Sequence, residues 1–323
     1  MKEKIKNNTS KIVYGCMGSS GAFGPVEEKQ SIEALQVAFD EGVTFFDTAE
    51  MYGDGYSEQL LAKALNHKRK DMVIISKVSP QNLTKDKIKE ACERSLKNLK
   101  TDYIDIYLIH WPNRNISFTE YIEGMIELKK EGKILSYGVS NFGVKDLDEI
   151  YGLDKEIVVD EVCYNLFTRA IELELVPSCL EKDIPIFTYS SLMQGLLTGK
   201  YDSLDKFPDN RARMHLFDSR KRLQSRHGGN GQEELGQKTL DEMFKIVRET
   251  NIKFSDLAIG WLKSKKSVNG VIVGTKNAEQ SHNLRNFIDL KLDPQIVKRI
   301  DEVTLDLRDA LSTNIDPWDF RTR

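Results

Sequence analysis

Eight short apolar runs, each followed by a stretch with helical periodicity, constrain this chain more than any other feature. The runs cover residues 11–14, 43–46, 72–76, 104–109, 134–139, 157–159, 184–188 and 268–273. Between them, apolar side chains recur three and four residues apart, as in Ile32, Leu35 and Phe39 or Ile122, Met125 and Ile126. That is the period of a helix with one buried face. Gly42 and Gly132 stand just past two of these stretches, where helix ends favour glycine. The first seven runs recur roughly every 24 to 32 residues, the size of a βα repeat. Strands alternating with helices build a parallel sheet. Eight such units are the number that closes into a (β/α)8 TIM barrel, with an open doubly wound sheet as the alternative. Only the last interval is long, and it inserts residues 200–255 between the seventh and eighth strands. No Pro/Gly-rich linker divides the 323 residues. The expectation is therefore one α/β domain, 1–323, with the 200–255 insertion and a tail at 306–323 bordering the barrel mouth.

Composition narrows the functional classes. A chain that is 40% hydrophobic and 30% charged can bury a large core and stay in solution. Its net charge of −3 argues against a nucleic-acid surface and against anionic lipid. No apolar stretch approaches the roughly 20 residues of a membrane helix. The charged opening, residues 1–8, has no apolar segment behind it, so no secretion signal is expected. Cys16, Cys92, Cys163 and Cys179 lack C-x-x-C spacing, which disfavours a zinc ribbon or a redox pair and points to a reducing, cytoplasmic setting. Cys92 shares an apolar helical stripe with Ile88, Leu96 and Leu99 and reads as a small core residue.

The residues at the ends of the runs carry the chemistry. Asp47 ends the second, Lys77 the third, His110 the fourth and Ser140-Asn141 the fifth. Glu161 lies near the end of the sixth, Tyr189 ends the seventh, and Gly274-Thr275-Lys276 comes after the eighth. All strand C-termini of a parallel barrel open on one face, where such enzymes hold their active sites. Tyr52, five residues after Asp47, lies in the short loop before the next helix. A neighbouring cation favours a phenolate and makes a tyrosine useful as a general acid/base. An imidazole can orient a carbonyl oxygen by hydrogen bonding. Together these groups suit moving a proton on a carbonyl or alcohol oxygen. They include no activated nucleophile and no metal-ligand set, so a hydride would have to come from a cofactor. Each residue alone has a bland explanation: an ion pair, a packing tyrosine, a satisfied histidine. Their convergence on one rim carries the functional reading.

At these residues the chain resembles the aldo-keto reductase superfamily. The likeness rests on Gly42-Val-Thr-Phe-Phe-Asp47-Thr-Ala-Glu-Met-Tyr52-Gly, Ile75-Ser-Lys77, Asp105-Ile-Tyr-Leu, Leu108-Ile-His110-Trp-Pro112 and Gly138-Val-Ser140-Asn141-Phe142. It runs from about residue 11 to 290. The resemblance implies a catalytic tetrad of Asp47, Tyr52, Lys77 and His110. In it the tyrosine donates the proton, the lysine–aspartate pair tunes it and the histidine positions a small-molecule carbonyl substrate.

The cofactor it implies is NADPH (NADP+). Ser140, Asn141 and Glu161 would meet the nicotinamide carboxamide, and Tyr189 would stack on the ring. Ser190, Leu192, Gln194 and Gly195 would follow the pyrophosphate. Gly274, Thr275 and Lys276 precede a helix expected from about Asn277, and a helix N-terminus attracts anions. Lys276 would meet the 2′-phosphate, while Gln280 and Asn283 would face the adenine. Trp111 and Trp318 would join His110 in lining the substrate pocket. Some members of the superfamily are cofactor-holding cytoplasmic subunits of membrane channels, and that regulatory role is the alternative.

Three features depart from the pattern. Glu161 stands where relatives commonly carry glutamine, and a carboxylate cannot donate a hydrogen bond unless protonated. Asn283 follows Gln280 by three residues where four is usual. The segment 209–232 follows no recognisable pattern and reads either as a solvated loop or as a flap over the cofactor phosphates. Two decoys fail: Gly53-Asp-Gly55-Tyr-Ser-Glu58 lacks the third glycine of a dinucleotide fingerprint, and Gly138-Val-Ser140-Asn-Phe142 falls one residue short of a nucleophile elbow.

Overall fold

Every apolar run becomes a strand or leads into one in a computed structural model that describes residues 1–22, 24–311 and 314–316. The strands are β1 (Ile12–Gly15), β2 (Phe45–Asp47), β3 (Val73–Val78), β4 (Ile104–Ile109), β5 (Ile134–Ser140), β6 (Asp160–Cys163), β7 (Ile186–Tyr189) and β8 (Val268–Val273). They are ordered β1 to β8 around a closed barrel, and the pairings given below are parallel. Strands covered on both faces read as continuous apolar runs rather than alternating ones. β3 illustrates this, since all of its residues are buried, Lys77 included.

By internal packing the chain divides into two compact units. The first comprises residues 1–161 and 272–289. Within it, β2 pairs with β3 through Phe45↔Val73 and Asp47↔Ile75, β3 with β4 through Lys77↔Leu108, and β5 with β6 through Ser140↔Glu161. Amphipathic helices intervene at Glu28–Asp40, Tyr56–Leu65, Lys85–Leu99, Phe118–Lys130 and Val144–Leu153. The expected stripe of the third buries Ile88, Cys92 and Leu99. Each such side chain contributes about 1.5–3 kcal/mol on full burial. The helices before Gly42 and Gly132 end where expected, with both glycines at positive φ (+97° and +73°).

β6 departs from the sequence reading. The apolar run 157–159 only leads in: Val158 N–H donates to Tyr137 O and Val159 O accepts from Val139 N–H. The strand itself starts at Asp160, so Glu161 lies inside it, not near its end. Two adjacent acids argue for a strand terminus in any sequence reading, yet both are buried here.

The second unit comprises residues 162–271 and 290–323, as far as they are described. β7 pairs with β8 through Ile186↔Val268 and Phe187↔Gly270. The long interval contains the helices Glu233–Thr250 and Phe254–Ser264. Buried Trp261 packs on Tyr164 at 5.2 Å, and its indole N–H donates to Asp301, which also accepts from Lys265 Nζ at 2.7 Å. Segment 209–232 is not a freely solvated loop. Ala212, Met214, Leu216 and Phe217 are buried, and Phe217 stacks on Phe207 with ring centroids 5.5 Å apart. Asp218 accepts from Arg220 and Ser225 donates to Met214 O, so local pairing ties the segment down.

Candidate active site

β2 delivers Asp47 at its last residue, and the chain then stays bonded to β3: Thr48 N–H donates to Ile75 O at 2.8 Å. A turn closed by Tyr52 N–H to Ala49 O comes next, so the phenol folds back toward the strand ends. Gly53, Asp54 and Gly55 all take positive φ (+63°, +54° and +81°). Three successive left-handed residues cost little only where glycine supplies most of them. The helix Tyr56–Leu65 starts immediately afterwards.

Lys77 is the hub. Its side chain is fully buried, and Nζ donates to Asp47 Oδ1, to Thr48 O at 3.0 Å and to the Tyr52 hydroxyl at 3.5 Å. Glu161 Oε1 lies 3.4 Å from the same ammonium. His110, anchored by its N–H to Val78 O, meets Tyr52 edge-on at 5.7 Å and stacks on Trp111 at 4.2 Å. Asn141, itself at φ +62°, donates from Nδ2 to His110 O and to Ser140 Oγ. Ser140 Oγ donates to Glu161 O at 2.8 Å. All of these residues lie in the first unit.

The electrostatics follow from burial. Desolvation opposes the charge on Lys77, but its surroundings, the Asp47 carboxylate first, outweigh it and hold the ammonium above its ordinary range. Burial and the nearby ammonium push the His110 imidazole well below its usual value, so it is neutral near pH 7. Tyr52 corrects a simple expectation. Lys77 does favour its phenolate, yet burial is the larger effect, and the phenol rises above its ordinary value. The site therefore holds a protonated phenol against an ammonium. That is a proton donor whose conjugate base is stabilised the moment it forms.

The remaining expected residues fall in both units. In the first, Gly274 lies so close to β1 that a Cβ would come within 2.9 Å of Gly15 O. Thr275 Oγ1 bonds Tyr14 OH at 2.9 Å and Ser281 Oγ at 2.7 Å. Asn277 caps the helix Ala278–His282, Lys276 N–H donates to Gln280 Oε1, and Asn283 Nδ2 donates to Glu279 O. In the second unit, half-buried Tyr189 ends β7 and its carbonyl accepts from Tyr164 N–H. Ser190, Met193, Gln194 and Gly195 all take positive φ, and Gly195 N–H turns back to Leu192 O. Both polar side-chain atoms of Gln194 are buried without a hydrogen-bond partner among the described residues. Arg211 reaches Gln194 O at 3.5 Å, while its Nε has no hydrogen-bond partner among the described residues. Trp318 lies outside the described residues. Sequence reading missed Arg211 and Asn165, whose Nδ2 donates to Ser190 O. Arg211 sat in a basic stretch with nothing to single it out, and Asn165 carried no signal.

The sequence matches the Aldo/keto reductase family model over residues 11–305. With that match and this site, the chain belongs to the aldo/keto reductase family. It is 38% identical over 170 residues to the protein named methylglyoxal reductase YeaE of Escherichia coli K12, covering 52% of this chain and 60% of that one. This chain thus spans about three fifths of the length of that curated relative. Likeness to a probable voltage-gated potassium channel subunit beta of Arabidopsis thaliana is lower, 28%, but covers 91% of this chain and 92% of that protein. Among solved structures, an aldo/keto reductase from Klebsiella pneumoniae in complex with NADP and acetate superimposes with a TM-score of 0.73. It is 26% identical and is matched over 97% of this chain and 93% of its own.

Proposed function

We propose that this chain is an NADPH-dependent reductase of small aldehydes or ketones. One observation carries the reading: a half-buried, protonated Tyr52 hydroxyl held 3.5 Å from the ammonium of Lys77, which is itself paired with Asp47. Bound NADPH would supply the hydride. Tyr52 would donate its proton to the carbonyl oxygen as negative charge develops there, and Lys77 would stabilise the resulting phenolate. Neutral His110 would orient that oxygen by hydrogen bonding, with Trp111 stacked behind it. A positioned acid of this kind contributes roughly 10²–10⁴-fold to rate.

The residues present fit a nicotinamide dinucleotide. In the second unit, Gln194 with its unpartnered amide, the turn of positive φ at Ser190, Met193, Gln194 and Gly195, and Arg211 offer donors suited to phosphate. In the first, Ser140 and Asn141 would meet the carboxamide and Lys276 the 2′-phosphate, with Gly274, Thr275, Gln280 and Asn283 around the adenosine. Tyr189 would stack on the ring and Leu192 would border the pyrophosphate. Four cysteines without disulfides suit a cytoplasmic setting. Among the described residues no helix is long and apolar enough to cross a membrane.

The test monitors loss of reduced-nicotinamide absorbance with a panel of carbonyl compounds, methylglyoxal among them, NADPH against NADH. Turnover with NADPH is expected, and Lys276→Ala should weaken NADPH far more than NADH. Equal weakening would place the 2′-phosphate elsewhere. The near full-length likeness to channel beta subunits supports a second reading, a cofactor-loaded regulatory subunit, which predicts nucleotide binding with no turnover on any carbonyl.

A further inference from the structure

Glu161 is the one member of the buried cluster that the proton-donor reading leaves without a task. It is 2% exposed, and its Oε1 lies 3.4 Å from Lys77 Nζ. Its carboxyl is also within hydrogen-bonding reach of Asp47, while no donor among the described residues reaches Oε2. Two carboxyl groups in contact cannot both be ionised without strong repulsion, so such a pair holds a proton between them. Asp47 has the direct contact with the ammonium, which leaves the proton on Glu161. Burial, Asp47 and the lack of any donor to Oε2 all favour that neutral form. The cluster Lys77⁺, Asp47⁻ and neutral Glu161 then carries no net charge. Loss of the Glu161 proton makes it −1.

We propose that Glu161 is a proton-linked selector between the two redox forms of the nicotinamide cofactor. The inference rests on the reductase reading above. A ring that passes hydride to the carbon whose oxygen Tyr52 protonates must lie close to Tyr52, and Lys77 links Tyr52 to Glu161 through contacts of 3.5 and 3.4 Å. The oxidised ring is positively charged and the reduced ring is neutral. Ionised Glu161 therefore favours NADP+, and neutral Glu161 removes that preference. At such a separation in a desolvated site, one unit charge changes the relative affinity on the order of tenfold or more.

The other groups around Glu161 do not duplicate this role. Lys77 on β3 stays charged and Tyr52 stays protonated through the neutral range. His110 after β4 is neutral, and Ser140 and Asn141 at the end of β5 carry no charge. On β6 itself, Asp160 is adjacent, so its side chain points to the opposite face. Burial raises the Asp160 carboxyl well above the usual carboxylate range and pushes the Cys163 thiol up.

The experiment measures dissociation constants of NADP+ and NADPH for the substrate-free protein by tryptophan fluorescence from about pH 5 to 10. The ratio Kd(NADPH)/Kd(NADP+) cancels every titration the two nucleotides share, the 2′-phosphate included. In the wild type the ratio should rise on the order of tenfold with pH, and Glu161→Gln should flatten it. As a readout on the wild type alone, NADP+ binding within that range should release a proton that NADPH binding does not. A flat wild-type ratio with tight binding of both nucleotides would overturn the inference and leave the reductase reading standing. An unchanged slope in Glu161→Gln, or equal proton release with both nucleotides, would overturn it too. Failure of either nucleotide to bind at any pH would overturn both.

Discussion

Lys77 sets the terms at the scale of single residues. An ammonium this deeply buried costs several kcal/mol in lost hydration, which only good pairing offsets. Asp47 and the Thr48 carbonyl provide that pairing, Tyr52 takes the third N–H, and Glu161 lies 3.4 Å away. Replacing Lys77 by Met should therefore do two things at once. It should leave Asp47 buried without its counter-ion, lowering the urea-unfolding free energy by about 3–5 kcal/mol. It should also remove the charge that stabilises the Tyr52 phenolate, lowering turnover at least ~100-fold. Loss of activity at unchanged stability would show that the ion pair is not a structural anchor. Asp47 and Lys77 were legible in the sequence because each ends an apolar run, and Tyr52 because it follows Asp47 by five residues in the loop before the next helix. The sequence could not reveal the balance of forces on Tyr52. The cation lowers its pKa and burial raises it, and only the degree of enclosure decides which wins.

Between elements, Glu58 shows how the fold ties a helix to the strand that carries Lys77. From the helix Tyr56–Leu65 its carboxyl accepts from Ser76 Oγ on β3 at 2.6 Å and from Asn98 Nδ2 on the helix Lys85–Leu99 at 3.0 Å. Burial raises its pKa despite these donors. A carboxyl whose folded pKa exceeds its unfolded value binds more protons when folded. Its contribution is therefore full below the unfolded pKa of about 4.3 and is lost as pH rises through the folded value. Glu58→Gln keeps the shape and removes the titration. The variant should gain on the wild type as pH rises from about 5 to 8, by up to about 1.4 kcal/mol per unit within the titration window, read from urea midpoints. A pH-independent gap between the two would rule out the raised pKa. Helices were legible here through their 3.6-residue stripes, whereas β6 was not. Its apolar approach, 157–159, carried the signal, and the strand itself opens on Asp160 and Glu161. Buried acids in a strand run against the pattern that identifies strands.

For the whole molecule, repetition made the architecture readable: eight alternations of one unit left few topologies, and the closed parallel barrel is among them. The internal order of segment 209–232 was not readable, because the alternation of its buried Ala212, Met214 and Leu216 is short, is broken at Phe217 and is diluted by arginines. The residues of the second unit proposed to follow the cofactor phosphates were legible only through family likeness, since Ser190 to Gly195 form an irregular turn. The proposed carbonyl reduction rests on Tyr52 as the proton donor, and the most direct measurement compares wild type with Tyr52→Phe. Turnover of a small aldehyde with NADPH should fall by roughly 10²–10⁴-fold in the variant while the NADPH dissociation constant stays within about threefold. A variant that keeps a tenth or more of wild-type turnover, or a wild type that binds NADPH and reduces no carbonyl, would contradict it.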